Sequence, residues 1–509
     1  MAQRLSPAIL ALILVAAACG STGPSPSPAA ASPSATATPP PSTTPEPVAA
    51  TGSPAASPSL AAIKWIKVGL FENSGLSVPL DYADPSAGTI TLAIARRPAA
   101  DPAHRIGALF VNPGGPGASG LMFLGGDANS MIPKAVFDRF DVVSWDPRGA
   151  GASQGLHCPD GATPGEIAAL DPDPTSPDEL GAWHTTLEDV QAQCSKADPR
   201  LLATMSTATT ARDMDAIRIA LGEPTVSYWG WSYGSYLGYL YATMFPTRLR
   251  AAVLDGPVDP TLDLVGLDTS AGRARDAALE HFLSVCSMAK ACAFHGGANP
   301  SKAYDALIAT LRHTASADGL DAGHIVVGVA DWLFRDDLAG LATALSQAER
   351  GDASALRAQA EAYYQDFGSY LATICLDMRH PASEGAIGGA LAAAQEAAPR
   401  FGLVAAAPDL YGCLAWPVPA QPMAVSAPPA GLPPILVVAS RWDPATPPWG
   451  AAPLAKALGT GVVLTRDGVG HTSGLSATTN ACLRDALTAY LDDLTVPQPG
   501  MICKDREHW

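Results

Sequence analysis

The sequence predicts an α/β fold: a mostly parallel sheet with helices on both faces and an inserted helical cap. Three observations predict it. Short runs rich in β-branched residues alternate with helical stretches and are bounded by Gly, Pro and Asp. The runs are continuously apolar, as in strands covered on both faces. The alternation stops between about 261 and 425, where the chain becomes Ala-rich and helical in pattern.

The chain of 509 residues begins with Arg4 and the apolar run Pro7–Ala18. A positive charge before a short apolar run is an export-signal pattern. The run is shorter than the ~20 residues that a membrane-spanning helix needs. It ends in Ala16-Ala17-Ala18-Cys19-Gly20. Small residues directly before a Cys resemble the bacterial lipobox, in which Cys19 becomes the lipidated N-terminus. Ala16 stands where that pattern has a larger aliphatic. The alternative is cleavage after an A-x-A site, which releases a free secreted protein. Residues 1–19 are therefore expected to be a lipoprotein-type signal. The protein would sit at the outer face of the cell membrane, or be secreted, with a lipid anchor as its sole membrane contact.

Residues 20–60 read as a disordered linker. Of the 40 residues 21–60, 35 are Pro, Ser, Thr or Ala, and Glu46 is the one charge. Such a segment buries too little apolar surface to offset its ordering entropy.

The chain is acidic: 48 Asp and Glu against 31 Lys and Arg give a net charge of −17. A nucleic-acid binder needs a basic face, so that class is excluded as a partner. Electrostatic docking on anionic lipid is disfavoured for the same reason. There are nine cysteines: Cys19, Cys158, Cys194, Cys286, Cys292, Cys375, Cys413, Cys482 and Cys503. Setting Cys19 aside for lipid leaves an even number, which in an exported chain reads as four disulfides. Connectivity does not follow from count. Sequential pairing is the working assumption: 158–194, 286–292, 375–413 and 482–503. No Cys or His spacing fits zinc, and neither a metal nor a cofactor is expected.

The first part of the core, 61–260, holds the expected strands Thr89–Ile94, Gly107–Val111, Val142–Trp145, Thr225–Trp229 and Ala251–Leu254. The insert, 261–425, has helical patterns in Ala342–Arg357 and Ala386–Ala398 and carries four Cys. Being poor in large apolar residues, it is expected to have a thin core of its own, stapled by disulfides. The last part, 426–509, holds the strands Ile435–Ala439 and Gly461–Leu464.

The chemistry begins at Gly230-Trp231-Ser232-Tyr233-Gly234, directly after a strand and before the helical Tyr236–Met244. A G-x-S-x-G in this context is a nucleophile elbow: the sharp turn needs small flanking residues and lifts the Ser hydroxyl above the sheet. A serine hydroxyl needs an adjacent base. α/β-Hydrolases take their acid and then their His later in the chain. His471, in the turn-rich loop after Gly461–Leu464, is the candidate base. Asp443, just past Ile435–Ala439, is the candidate acid. Asp255, after Ala251–Leu254, is a rival acid, although with Gly256 and Pro257 it also reads as a turn former.

An acyl-transfer oxyanion needs two preorganised donors. One is expected from the backbone N–H of Tyr233. The other is expected from the loop Asn112-Pro113-Gly114-Gly115-Pro116-Gly117, with Gly115 favoured over Gly114. A phosphate loop is the competing reading, but no Lys-Ser/Thr follows the glycines.

Asn112–Gly117, Asp146-Pro147-Arg148-Gly149-Ala150-Gly151, Gly230–Gly234, Leu254–Pro260, Asp443–Pro447 and Gly470-His471-Thr472 stand in order. Together they resemble the secreted tripeptidyl aminopeptidase and proline iminopeptidase type of serine peptidase, with a TAP-like C-terminal region. The mycobacterial cell-envelope carboxylesterase, a lipoprotein protease, has a similar plan. The resemblance covers about 65–503. It implies Ser232, Asp443 and His471 as the triad, and a structural turn at Asp146 and Arg148. Asn112-Pro113 departs from the His-Gly of many iminopeptidases, as the tripeptidyl branch does.

The implied partner is a peptide with a free N-terminus. Recognising its ammonium requires acids in the insert, near the nucleophile. Asp377 and Glu280 are possible donors of that charge, though a solvated surface acid is the commoner role for each. An exported aminopeptidase releasing short peptides, tripeptides first, is the leading reading. A carboxylesterase or lipase-like hydrolase with the same triad is the alternative, since esters and peptides share one acyl-enzyme route.

Overall fold

A computed structural model describes residues 63–156, 162–171, 174, 176–196, 199–294, 299–313, 321–414, 416–425 and 427–505. The expected signal, Cys19, the linker and Cys158 lie outside the described residues.

Ten strands form one sheet. They are β1 (Ile66–Val68), β2 (Phe71–Pro79), β3 (Thr89–Arg97), β4 (Gly107–Asn112), β5 (Phe140–Trp145), β6 (Val226–Trp231), β7 (Leu249–Asp255), β8 (Ile435–Trp442), β9 (Gly461–Val469) and β10 (Ile502–Lys504). Their order is β1-β2-β3-β5-β4-β6-β7-β8-β9-β10. From β5 to β10 all neighbours are parallel. The central strands bury both faces. In β4, Ala108 and Phe110 join one apolar cluster while Leu109 and Val111 join the other. That two-sided burial is why these strands read as unbroken apolar runs.

β3 differs from the sequence reading. It runs antiparallel to both β2 and β5, with Thr89 and Thr91 exposed while Ile90, Leu92 and Ile94 are buried. A strand covered on one face alternates, and its Thr residues were that signal.

The chain leaves β4 towards β5 on one side and returns to β6 on the other. The loops after β4 and β6 therefore part at the carboxyl ends of the strands, which is where open α/β sheets form a crevice.

Between β7 and β8 the described elements are all helices: Leu264–Met288, Pro300–His313, Ala322–Trp332, Leu338–Glu349, Ser354–Tyr363, Phe367–Asp377, Glu384–Ala397 and Gly402–Leu414. The single helix expected over Ala342–Arg357 is two, parted at Gly351 (φ 89°), where the left-handed backbone ends the first helix. The thin core expected of the insert is also corrected. Its Leu279, Phe282, Ile325, Leu345, Leu371 and Leu410 belong to the same continuous apolar cluster as Phe110, Tyr228 and Val437 of the sheet. Composition counted the alanines. It did not register that the few large side chains recur at helical spacing on the buried faces.

Three expected disulfides are formed, Cys286–Cys292, Cys375–Cys413 and Cys482–Cys503, with Cα separations of 5.3, 5.2 and 5.5 Å. Cys194 is also disulfide-bonded. Bridges of this kind fit an exported protein. Among the described residues no helix is long and apolar enough to cross a membrane. Asp146 and Arg148 are structural. Arg148 is buried against Asp213 at 2.7 Å and the carbonyl of Leu80 at 2.8 Å, and Asp146 accepts from Ser119, Leu121 N and Ala152 N.

Candidate active site

β6 runs two residues further than expected and ends at Trp231, against Ser232. The following helix, Tyr233–Met244, begins immediately after Ser232. Ser232 itself has φ 57°, a left-handed backbone that a non-glycine residue adopts only when its surroundings impose it. The surroundings are visible. Ser232 N donates to Asp255 O at 2.8 Å. A Cβ on Gly230 would lie 2.3 Å from Gly234 O, and one on Gly234 would lie 2.8 Å from Asn112 O. Both flanking glycines are therefore required by close backbone approach. The elbow presents Ser232 at the N-terminus of a helix, where the positive end of the dipole favours a developing anion.

Asp443 follows β8 and is buried. His471 lies just past β9. Its Nδ1 stands 2.8 and 3.0 Å from the two Asp443 oxygens. That contact assigns the ring proton to Nδ1 and leaves Nε2 as the acceptor. Asp443 also accepts from Ala445 N, Thr446 N, Thr446 Oγ1 and Thr472 N at 2.8–3.0 Å. Burial alone would raise this carboxyl. The His471 ring and the donated hydrogen bonds outweigh burial and hold it below its usual range. The rival, Asp255, points elsewhere: it accepts from Ser473 N at 2.7 Å, from Ser473 Oγ and from Trp229 Nε1. Burial pushes it up to about 6.

Of the two oxyanion candidates in the glycine loop, Gly114 N is already committed to Asn112 Oδ1 at 3.1 Å. Gly115 lines the cavity. Tyr233 is the first residue of its helix, so its N–H has no intrahelical acceptor.

Ser232, Tyr233, Gly115 and His471 line a cavity of about 410 Å³. Its remaining walls come largely from the insert, including Phe334, Tyr363, Phe367 and Tyr370. Five aspartates line it, Asp268, Asp331, Asp366, Asp377 and Asp409, against one arginine, Arg275. Burial raises Asp268 well above its usual range, and the neighbouring Asp409 carboxylate adds to the rise. Asp409 is pushed up to about 6 by burial and accepts from Tyr370 at 2.6 Å. Asp268 Oδ2 and Arg275 Nε are buried without a partner. Asp377 accepts from Thr207 N and Oγ1, and burial takes it to about 7. Of the two acids singled out from sequence, Asp377 reaches the cavity. Glu280 does not: it is half-exposed and pairs with Arg400.

Sequence reasoning missed Asp268, Asp331, Asp409 and Thr446. A signal existed for the first. Asp268 and Arg275 interrupt the buried stripe Leu264, Leu279, Phe282 of one helix, and a charge on an apolar stripe marks a partnered or functional site.

The fold, with a serine on its strand-to-helix elbow, defines a serine hydrolase. Residues 107–283 match the alpha/beta hydrolase fold family, and residues 398–503 match the TAP-like protein family. Serine protease Hip1 of Mycobacterium tuberculosis is 33% identical over 458 residues, covering 84% of this chain and 86% of that protein. Tripeptidyl aminopeptidase of Streptomyces lividans is 32% identical over 442 residues, covering 82% and 80%. Carboxylesterase B of Mycobacterium tuberculosis is 32% identical over 452 residues, covering 84% and 85%. The chain belongs to this family of α/β-hydrolase-fold serine hydrolases with a TAP-like C-terminal region.

Proposed function

We propose that the protein is an exported aminopeptidase that releases short peptides, tripeptides first, from free N-termini. The observation that carries this reading is the charge of the cavity: five aspartates, of which Asp268, Asp377 and Asp409 are buried, against one arginine, on walls that also hold Ser232 and His471. A free α-ammonium is the cation such a wall accepts. The relative named tripeptidyl aminopeptidase supports the same reading.

In the mechanism, Ser232 Oγ attacks the scissile carbonyl while His471 Nε2 takes its proton. Asp443 holds the Nδ1 tautomer and stabilises the imidazolium. The tetrahedral oxyanion accepts from the N–H groups of Tyr233 and Gly115. As the C–N bond breaks, the leaving amine takes the proton from Nε2. Water, deprotonated by the same nitrogen, then attacks the acyl-enzyme. The second bond cleavage releases the short peptide acid and restores Ser232.

The relative named carboxylesterase B supports the second reading, an esterase using the same residues. A tripeptide-arylamide, its N-acetylated form and a short-chain aryl ester separate the two. Acetylation is expected to lower kcat/KM by roughly 10- to 100-fold, the ~1.5–3 kcal/mol of hydrogen bonds to a charged group. Equal rates with and without the acetyl group, beside fast ester hydrolysis, favour the esterase.

Cys19, outside the described residues, is proposed as the lipid anchor that keeps the exported enzyme on the outer face of the membrane. Cys19→Ser should remove the protein from the membrane fraction. Wild-type protein found free in the medium, with its N-terminus beyond Cys19, would contradict the anchor.

A further inference from the structure

We propose that the loop carrying Phe334 and Asp336, in the helical insert, positions the His471 ring, so that the base is competent only while the insert is seated on the core. This rests on His471 being the base.

The loop follows the helix Ala322–Trp332, whose last carbonyls are closed by Phe334 N to Asp331 O at 3.0 Å and Arg335 N to Trp332 O at 2.9 Å. Phe334 O is left to face the core and accepts from His471 N at 2.9 Å. The Phe334 ring packs on the imidazole with centroids 5.1 Å apart, and Tyr363 stacks on Phe334 at 6.0 Å. Gly470 passes so close that a Cβ there would lie 3.2 Å from Phe334 O, at a φ of +90°. On the far side, Asp336 accepts from Arg466 Nη2 at 2.6 Å. Arg466, almost fully buried, donates from Nη1 to Thr472 O at 3.0 Å, and Thr472 N donates to Asp443 at 2.8 Å. The insert thus holds the residue before His471, His471 itself and, through Arg466, the residue after it.

Asp443 fixes one edge of the imidazole. An edge contact leaves the ring free to tilt about the Nδ1–carboxylate direction, and the aromatic face of Phe334 restricts that tilt. A base displaced by about 1 Å costs on the order of 10²-fold in rate. Neither Phe334 nor Asp336 needs to touch the reacting atoms for this. Both are positioning residues.

The test uses the full chain with Phe334→Ala, Phe334→Tyr and Asp336→Asn, and His471→Ala as control. Two substrates are compared, a tripeptide-arylamide and p-nitrophenyl acetate, which is too small to need the insert for binding. Phe334→Ala is expected to lower kcat on both roughly 10- to 100-fold. KM for the ester should stay near wild type, and fluorophosphonate labelling of Ser232 should slow in step. Phe334→Tyr, which keeps the ring, should restore most of the rate. Asp336→Asn, half in solvent and unchanged in size, should give a smaller loss of the same kind. It serves alone if Phe334→Ala does not fold. A rise in peptide KM with ester kcat and labelling unchanged would overturn the proposal, leaving the loop as a wall of the cavity. Full labelling of His471→Ala would instead overturn the assignment of the base.

Discussion

The two sides of the cavity treat buried carboxylates in opposite ways. On the sheet side Asp443 is buried, yet it is held below its usual range because the His471 ring and four other donors converge on it. On the insert side Asp268, Asp377 and Asp409 are equally buried and all raised. Asp268 Oδ2 has no partner at all. Burial is common to both sides; at Asp443 the His471 ring first, and then the converging donors, outweigh it, and the insert acids have no such partner. A saturated carboxylate is fixed in charge and place, which suits a group that must orient a base through every turnover. An unsaturated one is costly by itself and is relieved by a cationic ligand.

The sharpest break in this comparison comes at the serine. Ser232→Ala should abolish fluorophosphonate labelling and lower kcat by ~10⁶-fold, with little change in thermal midpoint. Stoichiometric labelling of the variant would move the nucleophile elsewhere. Next in size, Asp443→Asn should lower kcat by ~10⁴-fold through loss of the Nδ1 tautomer. Asp255→Asn should cost far less activity, since its carboxylate serves Ser473 and Trp229. The reverse ranking would make Asp255 the acid.

The insert side should respond through binding instead. Asp268→Asn and Asp409→Asn should each lower kcat/KM on a free tripeptide-arylamide by roughly 10- to 100-fold. Both should have far less effect on the N-acetylated substrate. An equal loss on both would show that the pair supports the cavity without reading the amine.

The smallest effect is on stability. Asp377 is raised from its ordinary 3.8 to about 7 in the folded protein. Its protonated form is therefore favoured by folding. The associated stability is full below the ordinary value and is lost as pH rises through about 7. Thermal midpoints should fall by several degrees between about pH 5 and pH 8, and Asp377→Asn should shrink that fall. An unchanged slope in Asp377→Asn would place the dependence on the other raised acids.

The sheet side was largely readable from sequence, because its chemistry sits at the ends of continuous apolar strands. Gly230 and Gly234 carried the elbow. Of the ordered residues Ser232, Asp443 and His471, the last two stand within hydrogen-bonding reach, and Ser232 and His471 line one cavity. Edge strands such as Ile66–Val68 and Ile502–Lys504 were missed because they are three residues long with exposed ends and no apolar run. The insert was the harder part. Its acids face a cavity formed by several helices, and no spacing within one segment encodes that. Phe334 is the extreme case: nothing near it in sequence announces that its carbonyl meets a residue beyond the last helix of the insert.

Arg466 ties Asp336 of the insert and Asp505 to the same histidine loop. During synthesis Ser232 emerges long before any of Asp443, Arg466, His471 or Asp505. A nascent chain therefore holds its elbow serine before the residues that come to face it exist. The contacts that join Asp443, His471 and Phe334 form only after the C-terminal segment has been made and has docked. The order of the residues along the polypeptide thus makes completion of the cavity wall one of the last events of folding.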